Sequence, residues 1–245
     1  MKCECNLSYS RQVQSLPNSL RPRFLVGLAP AELEAVIATA RHREFKAGTV
    51  LIREGYRARR LFLLTSGRGH HFVVTRNGRK LLLHWMTRGQ IVGATAMLAA
   101  DVRYLASAEV LVDSCALVWD TRAIRECAER FPVLLDNMLV IAYIEHVAWL
   151  VSAQISLVDD DARGRLAHLL LSLAVSIGRP MQGGGTELDI TNEELADGAY
   201  TTHYTVSRVL SDWQRAGALV KGYGKVMLRK PQLLAPASAA AIAHL

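Results

Sequence analysis

The residues with the clearest chemical purpose lie in ITNEELADGAYTTHYTVSR, Ile190 to Arg208. His203, Tyr204, Ser207 and Arg208 recur at the i, i+1, i+4, i+5 spacing of one helix face. All four are hydrogen-bonding types, and the planar fork of Arg208 suits guanine O6 and N7. The opposite face carries Val206, Val209 and Leu210 on the way to Trp213. A short helix that is apolar behind and polar in front has the shape and chemistry to lie in the DNA major groove. Thr202, at the front of that helix, joins this set. Further on, two short apolar runs flank Gly222-Tyr223-Gly224, with Lys221, Lys225, Arg229 and Lys230 along them. Positive charge on a hairpin beside such a helix could reach phosphates.

These side chains need a scaffold, and the local signals supply one. Thr191 followed three residues later by Glu194 is a capping box, which predicts a first helix. Thr201 or Thr202 can cap the second helix, which should end near Gly217. Leu195, Ala196, Val206 and Leu210 have the spacing of two short helices packed on each other. Gly-Tyr-Gly between apolar runs predicts a hairpin, so the unit reads as a winged helix-turn-helix over residues 159–245. Ala162–Ile177 should form its opening helix, after a polar break at Val158-Asp159-Asp160-Asp161. Gly183, Gly184 and Gly185 mark a flexible loop before Leu188-Asp189-Ile190.

Upstream the texture changes. Short β-type runs at 49–52, 60–64, 69–75, 80–86, 91–92, 106–111 and 115–119 are punctuated by glycine, with a hairpin turn at Arg76-Asn77-Gly78-Arg79. Many short strands with glycine turns predict a jelly-roll β-sandwich over residues 24–131. The segment Phe24–Arg41 should hold a short helix before the strands, with Pro30 in its first turn and Leu33, Val36 and Ile37 on one face. Residues 1–23 show no period and read as a flexible arm. A short helix over Thr121–Arg130 leads to Pro132, which opens a long helix over 132–158. Apolar residues cover more than one stripe of it, so it must bury two faces. One face would pack on the sandwich. The other, carrying Leu139, Ala142, Trp149 and Ala153, would pack on a second copy of the chain. The fold class is therefore α+β: jelly roll, long dimerisation helix, winged helix-turn-helix.

Composition bounds the function. The chain has 245 residues, 51% of them hydrophobic, and a net charge of +7. That describes a globular protein with a polyanionic partner, and argues against a disordered one. Met138–Val151 is too short for a membrane span and has Glu145 and His146 at its centre. The polar N-terminus is unlike a signal peptide, and the four cysteines, Cys3, Cys5, Cys115 and Cys127, show no paired framework. A reducing cytoplasm is the expected location.

The Thr205-Val206-Ser207-Arg208 helix, the wing and the domain order resemble the Crp/Fnr family of bacterial transcription regulators, over about Phe24 to Pro231. The strand region resembles that family's cyclic-nucleotide-binding β-roll, with glycines at matching points: Gly48, Gly55, Gly67, Gly89 and Gly93. The resemblance implies a homodimer on a palindromic operator, with RNA polymerase as a partner if the protein activates. It also implies that Arg208 reaches a guanine, and that Tyr204 stands where the family usually carries a glutamate reading cytosine. Members that bind cyclic AMP use Gly-Glu at a turn and an Arg-Ser or Arg-Thr pair about ten residues later. Here the turn is Gly93-Ala94-Thr95-Ala96, and the pair reads Leu105-Ala106. Arg103 could substitute only if the loop shifts. The adenine-contacting position on the long helix falls at Leu150. A buried phosphate without its arginine is an unpaired charge, costing on the order of several kcal/mol. The expectation is therefore a regulator without conventional cyclic-nucleotide control, its effector-pocket candidates being Gly93, Ala94, Thr95, Arg103 and Leu150.

The effector itself is not identified by these residues, and no cofactor is assigned. Cys3, Cys5 and Cys115, with Cys127, are a partial echo of the cysteine set that holds an iron–sulfur cluster in the Fnr branch. His70, His71, His84 and His146 are haem-ligand candidates, and a small apolar effector under the long helix is a further alternative. Another is no effector at all. A cupin-like metal enzyme would need matched His and carboxylate ligands on adjacent strands, which His70, His71 and His84 lack. No catalytic or metal-binding residue is assigned.

Overall fold

In the computed structural model, residues 6–16, 21–78, 80–98, 101–147, 161–181 and 184–234 are described. Trp149, Leu150, Ala153, Cys3, Cys5 and residues 148–160 of the expected long helix and hinge lie outside them. The chain divides into two compact units, Met1–Val147 and Ala148–Leu245.

In the first unit, Asn6–Ser15 (α1) and Pro30–Ala38 (α2) precede eight strands: β1 Arg41–Phe45, β2 Val50–Ile52, β3 Arg60–Ser66, β4 Arg68–Val74, β5 Lys80–Thr87, β6 Ile91–Val92, β7 Ser107–Val110 and β8 Ser114–Asp120. They form two antiparallel four-stranded sheets, β1-β8-β3-β6 and β2-β7-β4-β5. Leu61, Leu63, Val92 and Ala116 of one sheet share a core with Ile52, Met86, Ala108 and Val110 of the other. This is the expected sandwich, with apolar residues alternating inward. The β4–β5 hairpin turns at Gly78, whose φ of +75° suits glycine.

Three expectations change. The flexible arm over 1–23 is replaced in part by α1, which packs against α2 and buries Tyr9 and Val13, four residues apart. Arg88 Nη2 donates to Gln12 Oε1, and Arg21 caps the end of α1 by donating to the Gln14 and Leu16 carbonyls. Second, Arg41–Phe45 is a strand despite the sequence RHREF, because it is a sheet edge pairing with β8, Arg41 opposite Val118. Third, the long helix is not uniformly α. After Thr121–Arg130 (α3), Val133–Val140 (α4) is α-helical, and Ile141–Val147 continues as π-helix. Leu134, Met138 and Ile141 bury one stripe in the core, while Leu135, Leu139, Val140, Tyr143 and Val147 are exposed. The described members of both expected stripes, Leu139 and Ala142 on one and Val140, Tyr143 and Val147 on the other, are thus exposed, and the stripe packed on the sandwich is a third one.

The second unit holds Ala162–Ser176 (α5), β9 Arg179–Pro180, β10 Thr186–Asp189, Asn192–Gly198 (α6), His203–Arg215 (α7), β11 Leu219–Gly222 and β12 Lys225–Leu228. Its sheet runs β11-β12-β10-β9. Leu166, Leu170, Leu195, Val206, Leu210 and Trp213 are fully buried and hold the three helices together.

Candidate nucleic-acid interface and effector cassette

The helix pair forms through the caps that its sequence encodes. Thr191 Oγ1 accepts from the Glu194 amide at 3.2 Å, and Glu194 Oε2 accepts from the Thr191 amide at 2.8 Å. Of the two candidate caps for α7, Thr202 does the work: its Oγ1 accepts from the Thr205 amide at 3.2 Å. It also lies 3.0 Å from Thr205 Oγ1. Each such cap is worth about 1 kcal/mol.

Between the helices the backbone is strained. Tyr200 has φ +49°, the only non-glycine with positive φ among the described residues. Arg165 of α5 secures the turn, its Nε donating to the Ala199 carbonyl at 3.0 Å and Nη2 reaching the Tyr200 carbonyl at 3.5 Å. Partial burial pushes the Tyr200 phenol above its usual pKa. The sequence reading missed both residues. A left-handed turn flagged by glycine would have been visible, but tyrosine carries no such signal.

The structure brings His203, Tyr204 and Arg208 together on the exposed face of α7, with Ser207 half-buried between them. The ring of Tyr204 is 87% exposed, and it meets the His203 ring edge-on at 6.4 Å. The Arg208 guanidinium has no ion pair among the described residues. It is a planar set of donors held outward by a rigid helix, suited to a bidentate acceptor such as a guanine edge.

The wing lysines make contacts within their own unit. Lys221 Nζ donates to Ser211 Oγ at 2.8 Å, and the Lys221 amide donates to Gln214 Oε1 at 2.9 Å. Lys225 Nζ lies 3.0 Å from Glu187 Oε1. Both lysines are engaged within their own unit, whereas Arg229 and Lys230 are exposed without an ion pair among the described residues.

The segments named as effector-pocket candidates are bonded closely to the start of β3. Gly93 has φ +82°, and a Cβ there would lie 2.6 Å from the Arg60 carbonyl oxygen, so the close approach requires glycine. Ala94–Met97 form a 3-10 turn after it, and Thr95 Oγ1 is buried without a hydrogen bond. Across the cassette, the Tyr104 hydroxyl accepts from the Arg59 amide at 3.1 Å and the Arg60 amide at 3.0 Å. It donates to the Arg60 carbonyl at 2.9 Å. Arg103 does not turn inward: its Nη1 donates to the Gly55 carbonyl at 2.6 Å and it is exposed, as is Leu105. Tyr104 was not among the sequence candidates, since a tyrosine in a strand-rich segment reads as core.

The other sensor candidates do not form one cluster among the described residues. Cys127 is a free buried thiol 3.3 Å from Thr39 Oγ1, whereas Cys115 is disulfide-bonded, which corrects the expectation that the cysteines show no pairing. His71 and His84 stack at 4.3 Å, whereas His70 Nε2 pairs with Glu109 Oε1 at 3.0 Å. Among the described residues, no group of three or more His, Cys, Asp or Glu is placed to hold a metal ion, and no helix is long and apolar enough to cross a membrane.

Comparison with known proteins agrees with this division. Residues 42–131 match the cyclic nucleotide-binding domain, and residues 164–237 match the Crp-like helix-turn-helix domain. The chain is 28% identical over 216 residues to the cyclic AMP receptor protein of Thermus thermophilus, covering 85% of this chain and 93% of that protein. It is 26% identical over 222 residues to the anaerobic regulatory protein of Bacillus subtilis, covering 88% and 91%. The solved structure of FixK2 from Bradyrhizobium japonicum shares the fold at a TM-score of 0.69 and 19% identity, over 80% of this chain and 95% of that one. The relatives are regulators and not enzymes. With a β-roll of the cyclic-nucleotide-binding type and a DNA-binding helix-turn-helix that exposes Arg208, the chain belongs to the Crp/Fnr family of transcription regulators.

Proposed function

We propose that this regulator binds a palindromic operator as a homodimer and is not controlled by cyclic AMP. The observation that carries the DNA reading is the outward presentation of Arg208 beside Tyr204 and His203 on a helix whose other face is buried. Two such helices related by a two-fold axis would enter successive major grooves about 34 Å apart. The exposed stripe of Leu135, Leu139, Ala142, Tyr143 and Val147 supports association through the long helix. Trp149 and Ala153 would extend that seam. Where the operator lies beside a promoter and the protein activates, RNA polymerase is the second partner.

Independence from cyclic AMP is supported by two features of the cassette. Ala94 and Leu105 offer no charge to a ribose or a phosphate. The Tyr104 hydroxyl already occupies the backbone groups of Arg59 and Arg60. This departs from what the name of the Thermus thermophilus relative says of that protein.

Selection from random DNA tests the proposal. A two-fold symmetric site should emerge, with a guanine in each half. Arg208→Ala should cost about 1–3 kcal/mol per half-site and relax preference at that guanine. Tyrosine cannot accept the charge-assisted bond that a glutamate takes from cytosine, so the base facing Tyr204 should differ from the family pattern. An even loss of affinity with unchanged preference would refute the assignment of α7 as the reading helix.

A further inference from the structure

In the first unit a cavity of about 390 Å³ opens between α1 and the β5–β6 turn. That volume lies within the range of small-ligand pockets, about 300–1,000 Å³. Its walls are of two kinds. Val13 and Leu16 give it apolar surface, and the buried Tyr9 lines it beside them. Arg21, Arg23 and Arg88 also line it, and no lining residue is acidic. Neither Arg21 nor Arg88 has an ion pair among the described residues. The linking sequence at 17–20, Pro-Asn-Ser-Leu, contains no carboxylate either. Both guanidiniums are nonetheless held in place. Arg21 is half-buried, and its Nε and Nη2 donate to the Leu16 and Gln14 carbonyls at 3.1 and 3.0 Å. Arg88 Nη2 donates to Gln12 Oε1 at 3.0 Å. These acceptors are all neutral, so the bonds orient the two charges without cancelling them, and each guanidinium keeps further N–H groups. Gln90 lines the cavity as well. Its Oε1 accepts from the Thr87 amide at 2.8 Å, which leaves Nε2 as another donor. The Tyr9 hydroxyl has no hydrogen bond among the described residues, and the Arg88 charge acts on it.

Oriented cations without a counter-charge, a neutral phenol and an apolar wall are complementary to an oxyanion carried on a hydrocarbon body. We propose that this cavity is a binding site for a small aliphatic anion, with its carboxylate or phosphate head on Arg21 and Arg88 and its chain against Val13 and Leu16. The donors are fixed before the ligand arrives, so little ordering is lost on binding. A bound anion joins α1 to the β5–β6 turn, which the Arg88–Gln12 bond already links. The site shares no lining residue with the segment from Gly93 to Ala106, and it does not depend on the reading of DNA by α7.

Calorimetric titration of the full-length protein with octanoate, octyl phosphate and octanol tests this. At least one of the two anions should bind saturably. Octanol, which has the chain without the charge, should bind about tenfold more weakly or less, the loss expected of a charge-assisted hydrogen bond. The tighter of the two anions identifies the head group as carboxylate or phosphate. Arg88→Met should weaken the anion about tenfold, and Arg88→Lys should weaken it less, since lysine keeps the charge but not the fork. Leu16→Glu brings a carboxylate of its own to the cavity and should exclude both anions. Amide hydrogen exchange locates the ligand: protection should rise over residues 6–16 and 87–91. Equal affinity for octanol and the anions overturns the proposal, as does anion binding that Arg88→Met leaves unchanged. Protection confined to residues 93–106 overturns it too, because the anion then lies in the cassette. So does the absence of saturable heat from either anion up to roughly 1 mM.

Discussion

Tyr104→Phe removes one oxygen and nothing else, and the structure specifies what that oxygen does. Its hydroxyl accepts from two consecutive amides, Arg59 and Arg60, and donates to the Arg60 carbonyl, all within 3.1 Å. The residue is 7% exposed, so water does not replace it freely. The space vacated by a hydroxyl is also too small for a water molecule, which takes about 30 Å³ of liquid volume. Each buried donor left without a partner costs about 1–3 kcal/mol. The two amides sit near the surface end of β3, which favours the lower figure for each. The expected destabilisation is therefore about 2–4 kcal/mol. Urea unfolding of the full-length protein reads this directly, since m-values of about 1–3 kcal/mol/M turn it into a midpoint shift of roughly 1–2 M. Calorimetric titration of both proteins with cyclic AMP completes the assay. Neither should show saturable heat, because removing the hydroxyl adds no cation for a phosphate. An unchanged urea midpoint would mean that the hydroxyl does not secure the cassette. Micromolar cyclic AMP binding by the wild type would refute the assignment of Tyr104 as its occupant.

Leu139→Glu or Ala142→Glu places a carboxylate on the exposed stripe of the long helix and should give monomers in sedimentation, with loss of palindrome binding; dimers in both variants would place the interface elsewhere. Burial raises the Tyr9 pKa from 10.0 to about 12, although the nearby Arg88 charge opposes the shift. The neutral phenol is therefore the form that the fold favours. Its contribution is complete below pH 10 and fades as pH rises through 12, with a loss of about 2–3 kcal/mol that Tyr9→Phe should abolish in alkaline urea titrations. Arg165→Met should free the Ala199 and Tyr200 carbonyls and weaken specific more than non-specific DNA binding, measured by competition with random duplex; equal losses would show that Arg165 acts only through charge.

The parts of the fold legible in the sequence are those where a local rule and a buried face coincide. Thr191 and Glu194 announce a helix start, Leu195 and Val206 its packing, and both turned out as read. Glycines at 48, 55, 67, 78, 89 and 93 all take positive φ, which is why their spacing revealed a β-roll. β1 was illegible because an edge strand whose face is largely exposed needs no apolar alternation. α1 was illegible because its buried apolar anchors among the described residues are Tyr9 and Val13, too few for a period to show. The candidate site divides in the same way. The direction of Arg208 follows from helix geometry, so spacing predicted it. The partners of Lys221 and Lys225 come from another element each, Ser211 and Glu187, and no spacing encodes those.

The interactions around α7 explain why so few of its polar neighbours are left for DNA. Thr202 is used on the helix start, Arg165 on the turn before it, and Lys221 on the wing. Arg163 stacks its guanidinium 4.9 Å over Trp213 and lies 3.7 Å from Asp212. These contacts cost DNA affinity, since each tied cation releases fewer counterions on binding than a free one. What they provide is pre-organisation: a reading helix already fixed at both ends loses little conformational freedom when the duplex arrives. The turn shows how strongly the arrangement is held. A tyrosine in the left-handed region costs about 1–2 kcal/mol relative to glycine. The two Arg165 bonds and the partial burial of the ring are of a size to offset that. The strain at Tyr200 is thus the counterpart of a helix whose direction is set in advance, and under the proposed reading discrimination falls on the three side chains that remain outward, His203, Tyr204 and Arg208.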